Sequence, residues 1–253
     1  MNAPDHPPPE PHGAMEQVFE DVFHVAGSIV VTSVAADQRI NRNMVILRDG
    51  KTGAGSNELT LINCVRLDED GEAALTALGP VKHVIRLGPM HGQDDRYYIE
   101  RFGASFWRQE VSPVYPDPQP TPGCVLIESG PVPVSNAELF VFHLPKVPEC
   151  ALLLKREGGI LITADSLQHH SSWEGMSEAA IPRLQAAGFE LGTIVGPIWK
   201  VRLTPDGGSL KPDFERLLEL DFEHHVSAHG QFCRGGAHKL AEQAVQKAFE
   251  YEA

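Results

Sequence analysis

Residues 83–107 read HVIRLGPMHGQDDRYYIERFGASFW, and the rest of the chain is ordered around how this stretch is read. Val84, Ile85 and Leu87 form an apolar run of strand type that stops at Gly88-Pro89. A short loop then carries His91, Asp94 and Asp95, and a helical pattern opens with Arg96. A strand end that delivers His and Asp side chains into a loop ahead of a helix is a common way to build a site. The competing reading is structural: Asp94 or Asp95 caps the helix by accepting backbone N–H bonds, and His91 is an ordinary loop histidine.

Upstream, residues 18–35 contain the β-branched run FHVAGSIVVTSVA, followed by NMVILRD and ELTLINCV with DGKTGAGSN as the loop between them. These runs predict three meandering strands. Asp68, Glu69 and Asp70 put negative charge at the start of a helix whose Ala74, Leu75 and Leu78 share one face, and Gly79-Pro80 ends it. HVIRL follows at once, which makes a strand, helix, strand unit of the kind that pairs in parallel with a right-handed crossover.

Downstream, SPVYPDPQPTPG is a proline-rich connector long enough to wrap a surface or form a lid. Strands return as CVLIES, ELFVFHL, CALLLKR and ILITAD, the last two joined by EGG in a hairpin signal. A helical zone runs from Glu178 to Ala187, and a stretch without clear period contains Trp199. Leu217 and Leu218 fall in another helix, HHVSAHG reads as a short strand ending in a loop, and residues 239–249 close the chain as a helix with Leu240, Ala244 and Ala248 on one face. Both halves run from strands to helices, so the expected class is α+β, two mainly antiparallel or mixed sheets with helices outside, in one domain over residues 16–253. Residues 1–15, rich in proline and acid, are expected to be a disordered tail.

The chain of 253 residues has 42% hydrophobic and 22% charged residues, ordinary for a globular protein. Its formal net charge of -13, without clustered Lys and Arg, argues against a nucleic-acid surface and leaves a small-molecule substrate or ligand as the expected partner. Cys64, Cys124, Cys150 and Cys233 are widely spaced with no C-x-x-C pair, as expected of free thiols in a reducing compartment. The N-terminus lacks the pattern of a signal peptide, and no run approaches the ~18 apolar residues that span a membrane. The expected location is the cytoplasm, with no membrane partner.

Polar residues fall at or just after strands at four points: His91 with Asp95, His143 in LFVFHLP, Asp165 in ILITADS, and His229 in VSAHG. Side chains at strand ends on one rim can converge from distant parts of a chain, and histidine with carboxylate is the ligand set of zinc, iron or manganese. Each residue also has a purely structural reading: a satisfied core imidazole, a turn-forming aspartate, or a loop histidine beside glycine.

In their order these features resemble the metallo-β-lactamase superfamily over nearly the whole chain: Asn43-Met44-Val45-Ile46, the strand LTLINCV, the strand leading to a histidine loop, His143 after a strand, Ala164-Asp165 after a hairpin, and Ala228-His229-Gly230 before a helix. The resemblance implies a four-layer αββα sandwich with its site on the shared rim. It departs at the most diagnostic motif, H-x-H-x-D-H. With His91 on the first histidine, Asp95 keeps its place while Gln93 and Arg96 replace two ligands. A gapless alignment instead puts Gly88, Met90, Gly92 and Gln93 at the ligand positions. On the first alignment the implied metal ligands are His91, Asp95, His143, Asp165 and His229, with Asp95 and Asp165 as catalytic residues and His169, His170 and Tyr97 as substrate-binding candidates. The implied cofactor is one divalent ion, zinc first, with iron or manganese as alternatives, or none if the site is degenerate. The implied activity is hydrolysis of a small ester, thioester or lactone; the alternatives are a metal-poor binding protein and mononuclear iron oxygenase chemistry.

Overall fold

A computed structural model describes residues 6–31, 38–49, 57–110 and 123–251. Residues 112–122 of the proline-rich connector, read as a wrap or lid, lie outside the described residues. The first half supplies β1 (Glu16–Phe19), β2 (Val22–Val31), β3 (Gln38–Asp49), β4 (Glu58–Ile62), α1 (Glu69–Leu78), β5 (Val81–Ile85), α2 (Asp95–Phe102), β6 (Ser105–Arg108) and β7 (Cys124–Val125). These seven strands form one sheet in sequence order. β1 to β4 pair antiparallel, and β4 to β7 pair in parallel. The second half supplies β8 (Ala137–Phe142), β9 (Glu149–Leu154), β10 (Ile160–Ile162), β11 (Leu167–His170), α3 (Ile181–Ala186), β12 (Gly192–Val195), α4 (Pro197–Leu203), α5 (Lys211–Leu217), β13 (His224–Val226) and α6 (Ala237–Ala248). Its main sheet has the order β13-β10-β9-β8, and β11 pairs with β12 in a separate two-stranded sheet.

Strand burial shows how the layers stack. In β3, Val45 and Leu47 join a core that also holds Cys150, Leu152 and Leu154 of β9, while the alternate residues Met44 and Ile46 pack with Leu75 of α1 and Tyr98 of α2. In β9 the alternate residues Ala151 and Leu153 turn the other way, onto Trp199 of α4, Phe214 of α5 and Ala241 of α6. Side chains two residues apart share a face, so both strands are buried on both sides and read as continuous apolar runs rather than alternating ones. Three apolar cores between four layers make this an α+β αββα sandwich.

Local chemistry accounts for the elements that were legible. Asp68 accepts from Gly71 N at 2.8 Å at the head of α1, a cap worth about 1 kcal/mol, and Glu69, Asp70 and Glu72 favour the positive end of the helix. The EGG turn between β9 and β10 has Glu157, Gly158 and Gly159 all at positive φ, and a Cβ on Gly159 would lie 2.3 Å from the Asp221 carbonyl oxygen. Only glycine fits there. Residues 6–15, expected to be a disordered tail, make specific contacts: His12 accepts from Asp68 N at 2.9 Å and Ser28 donates to Pro11 O at 2.7 Å. Cys64, Cys150 and Cys233 are buried thiols and Cys124 is half-buried. None of the described helices is long and apolar enough to cross a membrane.

Candidate metal centre

Three chain segments meet where the two sheets share a rim. His91 lies in the loop after β5, Asp165 follows β10, and His229 follows β13. β10 and β13 are parallel neighbours, so both end at the same edge. Backbone bonds hold their extensions together: Thr163 N donates to Val226 O, Ala228 N to Ala164 O, and Asn43 N to Ala228 O. His91 Nε2 stands 2.7 Å from Asp165 Oδ2, and His229 Nε2 stands 3.4 Å from Asp165 Oδ1. The two imidazole rings meet edge to face at 4.7 Å. His91 and Asp165 are buried.

The orientation of these donors is set by their surroundings. His229 Nδ1 donates to the Asn41 carbonyl oxygen at 2.6 Å, and because a carbonyl only accepts, the Nε2 lone pair is left facing Asp165. Gly230 follows at φ +80, where a Cβ would lie 2.0 Å from the His169 carbonyl oxygen, so the turn that aims His229 requires glycine. His91 Nε2 and Asp165 Oδ2 approach closely without the alignment of a hydrogen bond, and each is buried with no hydrogen-bond partner. Buried donor atoms that crowd one point without bonding one another are what a shared cation would satisfy.

Charge tuning agrees. Burial works to raise the Asp165 carboxyl, but His91, His229 and Arg42 outweigh it and hold the group below its ordinary range. Burial, with His91 close by, lowers His229 to about 4, so its ring is neutral and able to ligate at neutral pH. Behind Asp165, Glu149 Oε1 accepts from Ser166 N at 2.8 Å and its Oε2 accepts from Trp199 Nε1 at 2.7 Å. Burial first, then the charge of Asp165, pushes Glu149 up to about 8.

Of the residues expected at the site, His91, Asp165 and His229 come together; Asp95 and His143 do not. Among the described residues they are the one group of at least three metal-competent side chains whose donor atoms all lie within 4.8 Å of one another. Asp95 is wholly buried at the head of α2 and its Oδ2 accepts from Arg86 Nε at 2.6 Å. Asp94 takes the N-cap position without a side-chain cap bond and instead accepts from Arg42 Nη1 at 2.9 Å, so the two aspartates are counter-ions of buried arginines rather than caps or ligands. His143 leaves the edge strand β8 on the same rim but two strands from β10, about 10 Å at ordinary strand spacing. There it is exposed and paired with Glu128 at 2.9 Å and with Arg216 at 3.0 Å. Tyr97 is half-buried against the core that α1 and α2 cover, its hydroxyl on Glu72 and its ring under Arg66. His169 bonds Thr193, whereas the neighbouring His170 is buried in the cavity wall, pairs with Gln168 Oε1, and is lowered to about 4 by burial and by His229 and His169. Gln93 is exposed, and Arg96 turns to Glu100 in solvent.

Sequence reasoning missed Arg42, Arg86 and Glu149. Arg86, set between Ile85 and Leu87 in an apolar strand, carried a signal of its own, because a buried arginine requires a carboxylate. Arg42 and Glu149 had no such mark.

His91, Asp165 and His229 open into a cavity of about 470 Å³ that is walled by Ile40, Leu184, Phe189 and Ile198 and backed by Trp199. Two ligands of a tetrahedral zinc ion at about 2.1 Å stand roughly 3.4 Å apart, so the observed spacing and the two-histidine, one-carboxylate donor set fit one ion with an open position. The same donors suit iron(II).

No family model matches the sequence, and no curated protein matches it. Solved structures do. The DIM-1 metallo-β-lactamase superposes with a TM-score of 0.61 at 11% identity, over 92% of this chain and 97% of that one. A metallo-β-lactamase from Pontibacter korlensis gives 0.57 at 13% identity, over 92% and 98%. A metallo-β-lactamase family protein from Thermus thermophilus gives 0.54 at 14% identity, over 92% and 81%. At such identity the likeness speaks for architecture alone, and with the four layers and the rim site it establishes that this chain has the metallo-β-lactamase fold.

Proposed function

We propose that the chain is a hydrolase of a small ester, thioester or lactone that works with one divalent ion, zinc in the first instance, held by His91, Asp165 and His229. The observation that carries this reading is the convergence of three metal-competent donors, all within 4.8 Å, at the floor of a cavity. A divalent ion held there by His91, Asp165 and His229 would supply Lewis-acid chemistry, lowering the pKa of a water molecule and polarising a carbonyl oxygen. The chain's own groups do the rest. The Asn41 carbonyl keeps His229 in its ligating tautomer, and Glu149 holds the backbone after Asp165 and the Trp199 indole in fixed relation. The apolar cavity wall excludes bulk water from the bond being cleaved.

A panel of chromogenic esters, thioesters and lactones offered to the metal-loaded protein tests the reading. Turnover of at least one class is expected, falling by about a hundredfold or more in Asp165→Ala, since affinity and water activation depend on the same ligands. Absence of turnover across the panel in protein shown to hold metal would overturn the hydrolase and leave a ligand-binding protein on this fold. The two-histidine, one-carboxylate set also supports a second reading, mononuclear iron oxygenase chemistry, which iron rather than zinc in freshly purified protein would favour.

A further inference from the structure

The walls of the cavity differ in character from the rest of the molecule. The chain carries 34 acidic and 21 basic residues, yet among the described residues the one carboxylate that lines the cavity is Asp165 at its floor, while two arginines, Arg183 and Arg202, line its mouth. They come from the two helices that flank it. α3 presents Arg183 and Leu184, with Ala187 just beyond, and α4 presents Ile198, Trp199 and Arg202. Spacings of three and four residues put such side chains on one helical face, so each helix offers apolar surface and one guanidinium to the same space. Arg202 makes no ion pair among the described residues; its Nη1 reaches Met90 Sδ at 3.9 Å, beside His91. The apolar wall is a small cluster of its own, in which Leu184, Phe189 and Ile194 pack with Ile40, Met176 and Ile198.

From this juxtaposition we infer that the cavity takes an amphiphilic carboxylate: an apolar acyl or alkyl body along the α3 wall, with a terminal carboxylate paired to Arg202 at the mouth. A cavity of about 470 Å³ falls within the usual range for small-molecule sites, and guanidinium is the side chain best shaped to take a carboxylate through two parallel bonds. A cationic ligand would meet Arg202 at the mouth, and a wholly polar one would strand its groups against the apolar wall. The inference builds on the reading of this cavity as the substrate site, and names that substrate as an apolar ester or thioester bearing a distal carboxylate.

Binding is tested on chelated, metal-free full-length protein, so that a carboxylate cannot score by ligating an ion. Octanoate, octan-1-ol and octylammonium are compared by calorimetry. Octanoate is expected to bind best, Arg202→Gln to weaken it by about tenfold while leaving octanol unchanged, and Ala187→Trp, at an exposed position of the mouth, to weaken both. Metal content of Arg202→Gln should equal that of the unaltered protein. Equal binding of the three probes, no binding of octanoate, or an octanoate preference that survives Arg202→Gln overturns the inference. Because no ion takes part, failure of the hydrolase reading leaves this result standing, and failure here leaves the metal centre standing.

Discussion

Asp95 shows how one neighbour decides what a residue does. Its side chain is fully buried, and Arg86, equally buried, donates to it at 2.6 Å, while the Arg86 Nη2 reaches back to the Gly92 carbonyl at 3.0 Å and so braces the loop that carries His91. Burial pushes the Asp95 carboxyl up and Arg86 pulls it back down. Asp95→Ala should therefore act on stability, costing about 3–5 kcal/mol in urea unfolding, because it removes the buried carboxylate that is paired with the Arg86 guanidinium in the core. A loss below about 1 kcal/mol would show that the pair is not the structural element described. At this scale the histidines and aspartates at strand ends were readable as candidates, and three of the five meet. The other two were unreadable for physical reasons: the partner of Asp95 lies nine positions back in a strand that reads as apolar, and the separation of His143 from β10 depends on strand order, which no local pattern encodes.

Elements with their own punctuation were legible, and those that exist only through tertiary contact were not. The acidic cap and Gly79 frame α1, and the EGG turn frames β9 and β10. By contrast β6, β11 and β12 have four residues each, and α4 has seven and opens on Pro197. Such short pieces hold no full period, and packing decides them. α4 matters most, since it places Trp199 and Arg202. β13 has three residues and is held from inside by His225, whose Nε2 lies 2.9 Å from Thr163 Oγ1 while its Nδ1 is buried without a partner. Burial, with His169 nearby, lowers His225 to about 3 from an unfolded value near 6.5. A lowered folded pKa means that the stabilising contribution is complete above about pH 6.5 and is lost as pH falls from there toward 3. The stability advantage of the unaltered protein over His225→Gln should thus shrink steadily between pH 7 and pH 4 in denaturant unfolding. A gap that stays constant over this range would mean that His225 is not the buried neutral ring described.

Across the whole molecule, burial on both faces of the central strands ties the two sheets and their outer helices into one stack, and the chain's end-of-strand residues fall on the rim that stack creates. A pattern of this kind survives when nearly all individual residues change, which is why structures at 9–14% identity share it. The sandwich was legible because alternation of strands and helices in both halves leaves few ways to cover two sheets. The proposed substrate was not, because specificity on a shared fold belongs to individual side chains of the site and not to the architecture.

The central claim is that three side chains, and not five, hold one ion. It is tested by titrating chelated protein with zinc and measuring stoichiometry by calorimetry and elemental analysis, in parallel for single alanine variants. The account predicts one ion per chain, binding lost in His91→Ala, Asp165→Ala and His229→Ala, and binding unchanged in His143→Ala. No bound ion, or binding that survives loss of His229 but not of His143, would contradict it.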